Sequence, residues 1–290
     1  MSFSGIYKTT KLYGYLFIVA CIVSILFSIA YPYPFNLYVS LFNNMLRPGV
    51  NPAFVGLDNY VKLIHDTDFQ KALFSSFIYV LTTSVGTLII GLFAALLFNK
   101  LTRGKRVLRV LILLPYVTPL VSTVYVWKYM FHPVTGIVNY VLLLLNLIET
   151  PVNWTMDPRY AFTMVIIYEI WRYFPFSYLM ILAALQSIDK TLYEAAEIDG
   201  ASIFQRFIHI TIPGIWLIMA TVLLIRVLWN FNKFDDIYLL TSGVVQTVPV
   251  YAYSTAFRAY EFSKGASILL LMAAITFIFS YIYLKKVLKW

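Results

Sequence analysis

Charged and amide side chains are scarce in this sequence, and the places where they interrupt apolar text define its chemistry. Glu169 and Arg172 lie one helical turn apart inside a long apolar run, and Arg226 lies inside another. Ionisable groups among apolar residues are costly, and they mark ion pairs, relays or solute paths. Three residues apart, Glu169 and Arg172 can neutralise each other, so a structural ion pair is their first reading. Arg226 has no partner within its own run; snorkelling outward, pairing with another helix or subunit, and lining a path all stay open. Just behind it comes Trp229-Asn230-Phe231-Asn232-Lys233. Aromatic faces stack on the C–H-rich sides of sugar rings, and amides both donate to and accept from hydroxyls, so this run suits a polyhydroxylated solute. An aromatic belt at a membrane interface is the plainer alternative.

Other chemistries find no support. The nearest approach to a phosphate loop is Gly104-Lys105, but Asn99 stands where the earlier glycine belongs and Arg106 where Ser or Thr should follow. The chain therefore binds no ATP through such a motif. His65, His132 and His209 are too few and too scattered for a haem or metal site. Cys21 is the single cysteine, so no intramolecular disulfide forms. No catalytic residue, metal ligand or cofactor is expected in this chain.

The longest polar segment between apolar runs is Thr191 to Pro213, TLYEAAEIDGASIFQRFIHITIP. Thr191-x-x-Glu194 and Ser202-x-x-Gln205 both fit a capping box. Gly200 between them suits the left-handed residue that ends a helix, and Pro213 suits the first turn of the next. The pattern predicts a helix, a sharp bend, a short helix and then a membrane span. Glu194 and Glu197 share one face, Ala195 and Ala196 keep the profile slim, and Phe204 and Phe207 share a face of the second helix. Such a bent pair reads either as a docking element for a soluble partner or as an ordinary loop.

These features need a membrane to hold them. The 290 residues are 61% hydrophobic and only 12% charged, with a mean hydropathy of +0.78. Soluble domains carry about twice that share of charge. Six apolar segments follow from the charges that bound them, giving helices over about 13–31, 72–98, 107–131, 160–185, 213–232 and 263–285, with a cytoplasmic loop over 187–213. The first, Tyr13 to Ala30, lacks a small-x-small cleavage site and is taken as an uncleaved helix. Pro115 and Pro119 imply a bent or loosened third helix. In the first outer loop, NPAFVGLDNYVKLIHDTDFQ suggests a short amphipathic helix. Six crossings put both termini on one side, with Lys8, Lys11, Lys100, Arg103, Lys105, Arg106, Arg109, Lys190, Arg206, Lys285, Lys286 and Lys289. Arg47, Lys62, Lys71, Arg159, Lys233, Arg258 and Lys264 are spread through longer opposite loops. Positive charge on the shorter loops places both termini in the cytoplasm. Because the basic residues fall between apolar runs, the excess of 22 Lys+Arg over 13 Asp+Glu reflects topology and not nucleic-acid binding.

Glu194-Ala-Ala-Glu-Ile-Asp-Gly200, nine residues, then Ile210-Thr-Ile-Pro213 resembles the EAA signature of ABC-importer permeases, with Ile212 in place of the usual leucine. FVGLDNY at 54–60, LLPYVTPLVS at 113–122, WRYFPFSYLMILAALQSI at 171–188 and FDDIYLLTSG at 234–243 are similar to binding-protein-dependent sugar permeases of the maltose and glycerol-3-phosphate type. The likeness covers nearly the whole chain; Ser75-Ser76 departs from it, where many relatives have Asn. It implies an all-α membrane protein with the type I ABC importer permease fold as one domain over 1–290, in a bacterial or archaeal cytoplasmic membrane.

The resemblance also implies roles. Glu194, Ala195, Ala196 and Gly200 would couple to a cytoplasmic ATPase, with Glu194 or Glu197 offered to a basic group of that partner and Phe204 as an aromatic knob. Matching the stretches through which maltose-type permeases contact sugar points to Tyr173, Phe176, Trp229 and Asn230, with Lys233 and Arg226 near the path. Expected partners are a second homologous permease in a heterodimer, an ATPase dimer that holds the ATP, and an external solute-binding protein. The preferred cargo is a neutral mono-, di- or oligosaccharide. An ion-coupled secondary transporter or a channel acting alone is the alternative.

Overall fold

The computed structural model describes residues 3–46, 49–100 and 104–287. Arg47, Arg103 and Lys289, used above for topology, lie outside the described residues. The chain is almost entirely helical. In order come α1 (Phe3–Ile25), a π turn (Leu26–Ala30), α2 (Pro32–Ser40), β1 (Phe42–Asn43), β2 (Ala53–Phe54), α3 (Asp58–Ile64) and α4 (Thr67–Lys100). Then follow α5 (Lys105–Val117), α6 (Leu120–Met130), α7 (Ile137–Leu144), α8 (Pro158–Ser187), α9 (Lys190–Ile198) and α10 (Ile203–Arg206). A second π turn (Phe207–Thr211) leads into α11 (Ile212–Phe231), followed by α12 (Asp235–Thr241), α13 (Val248–Tyr253), a third π turn (Ser254–Arg258) and α14 (Phe262–Lys286). Among the described residues, five helical stretches are long and apolar enough to cross a membrane, or six if the bent pair α5–α6 is one span.

The chain divides into two compact units, one of residues 1–66 with 252–272, the other of 67–251 with 273–290. In the first, β1 and β2 pair antiparallel with Phe42 opposite Phe54, and their rings meet edge to face at 5.4 Å. Asn59 of the short α3 donates to the carbonyls of Ser40 and Phe42, tying helix to hairpin. Lys264 closes on Asp66 at 2.7 Å, and the Ser263 hydroxyl accepts the Met45 N–H. The expected amphipathic helix is α3. The helix after it starts at Thr67, five residues before the sequence boundary at 72, because Lys71 pairs with Asp68 on the first turn and does not end the span.

The second unit is built on α4 against α8. Small residues let the two backbones close in. A Cβ on Gly91 would stand 2.6 Å from the Ser177 Cβ and 2.8 Å from the Tyr178 backbone nitrogen. Gly91→Ala therefore has no flexible side chain to push aside, and overpacking of this kind costs about 1–3 kcal/mol. Its melting transition in detergent is expected well below that of Gly14→Ala, whose Cβ meets nothing within 4 Å. Around this pair sit two apolar cores. One gathers Tyr79, Val124, Trp127, Met164, Tyr168, Ile237 and Leu240; the other gathers Ala95, Tyr178, Ile181, Leu185 and Ile215. Ser76 is buried and its hydroxyl accepts the Val248 N–H, which gives that sequence departure a structural role.

The third span differs most from expectation. Where one bent helix over 107–131 was predicted, α5 and α6 are separate helices at 90°. Thr118 and Pro119 between them are extended, with ψ of 138° and 135°. Pro119 pushes the preceding residue out of the helical region and has no N–H to continue the ladder.

Candidate functional site

The polar loop folds as a bent helical pair, with one change at its start. Asp189 caps α9, its carboxylate accepting the Thr191 N–H at 2.9 Å. Thr191 is therefore inside the helix, and the predicted Thr191–Glu194 capping box does not form. An ionised carboxylate two residues earlier is the stronger acceptor for the helix end, and the Thr191 N–H holds the Asp189 carboxyl below its ordinary range. The helix stops at Gly200, in the left-handed region with φ of +77°. The Ala201 N–H reaches the Ala196 carbonyl and the Gly200 N–H that of Glu197, the paired closure of a Schellman end. Ser202 and Gln205 form the expected reciprocal capping box. Pro213 stands in the first turn of α11 as expected, but α10, the π turn and α11 follow one another without a break over 203–231. A proline here lacks an N–H and crowds the carbonyl four residues back; the widened π turn at Phe207–Thr211, closed by Ile212 N–H to Phe207, absorbs it.

The pair presents acid and apolar surface together. Glu194 and Ala195 are exposed and Ala196 is half-buried. Ile198, Ile203 and Phe204 are 87%, 71% and 69% exposed. Glu197 is also exposed, and it pairs with Arg206 of α10 at 2.7 Å. Beneath the loop lies an open cleft of about 650 Å³ lined by Phe93, Leu96, Tyr193, Phe204, Arg206 and Phe207.

Within the membrane-spanning helices the charges sort differently from their sequence spacing. Glu169 pairs with Arg226 at 2.9 Å, both side chains fully buried, and not with Arg172. Arg172 instead serves the broken span. Its guanidinium donates to the carbonyls of Pro115 and Thr118 and to the Thr123 hydroxyl, at 3.2, 2.8 and 3.0 Å. The break frees carbonyls that a helix end must satisfy, and these claim the cation, while α11 brings Arg226 to the carboxylate. Lys233 bonds Asp236 at 2.8 Å and stands 3.9 Å from Glu169. Tyr173 donates to Asp236 and accepts from Lys233, with the Arg226 guanidinium 4.8 Å from its ring centre. Asp236 was not singled out in the sequence, although FDDIYLLTSG contains it; its acid sits one helical turn from Lys233, and that spacing was the available signal.

The predicted path residues divide. Trp229 is half-exposed and its ring packs on Phe176 at 5.1 Å. Tyr116, a residue the sequence reading passed over within LLPYVTPLVS, meets both Phe176 and Tyr173. Lys233 stands 3.9 Å from the centre of the Tyr173 ring. These five form one patch. Asn230 does not join it: it is buried, and its amide donates to Thr83 and Ser84 of α4. Arg226 is likewise interior. Its guanidinium lies over the Tyr173 ring, at the buried side of the patch.

The profile of the family described as "Binding-protein-dependent transport system inner membrane component" matches residues 87–289. The inner membrane ABC transporter permease protein YcjO of Escherichia coli (strain K12) is 40% identical over 260 residues, 89% of this chain and 88% of that one. The trehalose/maltose transport system permease protein MalF of Thermococcus litoralis is 33% identical over 282 residues, 96% and 94% of the two chains. Among solved structures, a bacterial ABC transporter involved in import of the acidic polysaccharide alginate superposes with a TM-score of 0.76 at 20% identity, over 96% of each chain. This chain has the type I importer fold and belongs to the family of binding-protein-dependent transport system inner membrane components: it is a permease subunit of an ABC importer in the inner membrane.

Proposed function

We propose that this chain forms half of the path of a carbohydrate importer and takes its driving force, through α9 and α10, from a cytoplasmic ATPase pair that holds the ATP. A second homologous permease would complete the path, and a solute-binding protein would deliver cargo on the face opposite the coupling loop, with both termini in the cytoplasm. The observation that carries the reading is the exposed pair α9–α10, which offers Glu194, Ile198, Ile203 and Phe204 on one bent scaffold. Relatives named for trehalose/maltose and lactose transport favour a sugar. The aromatic patch of Tyr116, Phe176 and Trp229 suits stacking on one, and because Lys233 is engaged by Asp236 a neutral sugar is preferred to an anionic one. A self-sufficient ion-coupled transporter would need a titratable acid facing the path; Glu169 and Asp236 are both buried and paired.

Uptake of a panel of labelled sugars, with ATP depleted in one arm and the proton gradient collapsed in another, tests this. Import that survives ATP depletion would overturn the reading. Trp229→Ala is expected to lower sugar uptake about two- to tenfold, the range of one aromatic contact, with the complex still assembling.

A further inference from the structure

Resting on the coupling role proposed for α9 and α10, we infer that Tyr193, Glu197, Arg206 and Thr211 form a two-point clamp that makes α9 and the base of α11 one rigid lever. The π turn at Phe207–Thr211 is what sets the register of the clamp. Tyr193 and Glu197 are four residues apart and share one face of α9. They meet two groups on the facing segment: the Tyr193 hydroxyl bonds the Thr211 hydroxyl at 2.9 Å, and the Arg206 guanidinium donates to Glu197 at 2.7 Å. Arg206 and Thr211 are five residues apart. In an α-helix at 3.6 residues per turn they would point about 140° apart, so one face of α9 could not hold both. In a π turn the bond runs from i to i+5, which brings residues five apart toward one face. Arg206 immediately precedes that turn and Thr211 is its last residue, and Ile212 N–H closes it on Phe207.

The clamp also explains how a loop with so much exposed apolar surface keeps a fixed angle. No α9 residue is fully buried, so packing alone does not hold that helix. Its orientation rests on the Schellman closure at Gly200 and on these two side-chain bridges. Glu197 and Arg206 are thereby positioning residues, and the acid left for a partner is Glu194. A push on α9 then turns the inner end of α11 without bending the joint.

The test measures the joint directly. With Cys21, the exposed single cysteine, changed to Ser, spin labels are placed at Leu192→Cys on α9 and Leu217→Cys on α11, both exposed positions. The full complex is purified through a tag on this chain. Pulsed electron resonance is expected to give one narrow distance distribution, the same before and after trapping with ATP and vanadate. Tyr193→Phe combined with Arg206→Glu should broaden it severalfold, and adding Glu197→Arg to restore the ion pair should narrow it again. A distance that shifts on trapping in the otherwise wild-type chain, or a distribution that stays narrow in the Tyr193→Phe/Arg206→Glu variant, would overturn the clamp. The width reports on the joint with or without a bound ATPase, so a Glu194→Lys variant that keeps both its ATPase and its uptake would refute the coupling reading and leave this measurement intact.

Discussion

Glu194→Lys is expected to strip the ATPase from the purified complex and to drop uptake at least about tenfold, because like charges set face to face across an interface cost several kcal/mol. The permease itself should fold as before. Glu194 is exposed on α9, and the substitution sits mid-helix where Lys and Glu have similar helix propensity. A melting curve in detergent that matches wild type, alongside loss of co-purified ATPase, is the expected combination. Retained ATPase with lost uptake would move the contact elsewhere on the loop, to Phe204 or Ile203. If both are retained, the loop has no coupling role.

The second large effect lies in the interior. Removing one member of a buried ion pair leaves an uncompensated charge and costs about 3–5 kcal/mol, whereas replacing both by apolar residues of similar volume is often near neutral. Glu169 and Arg226 are both fully buried. The two single variants should not be equal. Arg226→Met leaves Glu169 with Lys233 at 3.9 Å, which can draw closer. Glu169→Gln leaves Arg226 beside Lys233 and Arg172 with Asp236 as the one remaining carboxylate of the network. Glu169→Gln is therefore expected to yield the less stable protein, Arg226→Met an intermediate one, and Glu169→Leu with Arg226→Met to recover most of the loss. Melting temperatures of the four proteins in one detergent decide the order. Equal melting of all four would show that the pair contributes nothing to the fold.

Local signals in the sequence translated well into structure, and signals that depended on distant partners did not. The cap at Ser202–Gln205 and the left-handed Gly200 are settled within a few residues, so spacing was enough to place them. Glu169 and Arg172 met the same local test and failed it. The break at Thr118–Pro119 created acceptors for Arg172 that no spacing around residue 172 could announce, and the partner of Glu169 comes 57 residues later on another helix. The placement of Asn230 was out of reach for the same reason: its orientation follows from Thr83 and Ser84, about 147 residues earlier in the chain. Thr191 shows the reverse, a local competition lost to Asp189 two positions upstream.

The broken span has a consequence for how the chain is made. With 13 and 11 residues, α5 and α6 are each too short to cross a bilayer unaided, since a straight crossing takes about 20. Carbonyls at Pro115 and Thr118 find their donor on Arg172, which leaves the ribosome more than fifty residues afterwards. Until α8 arrives, unsatisfied backbone would face lipid, a condition that costs several kcal/mol per group. Biogenesis is thus ordered against the direction of synthesis here: α4 can lodge first, α8 must follow, and the segment between them settles last.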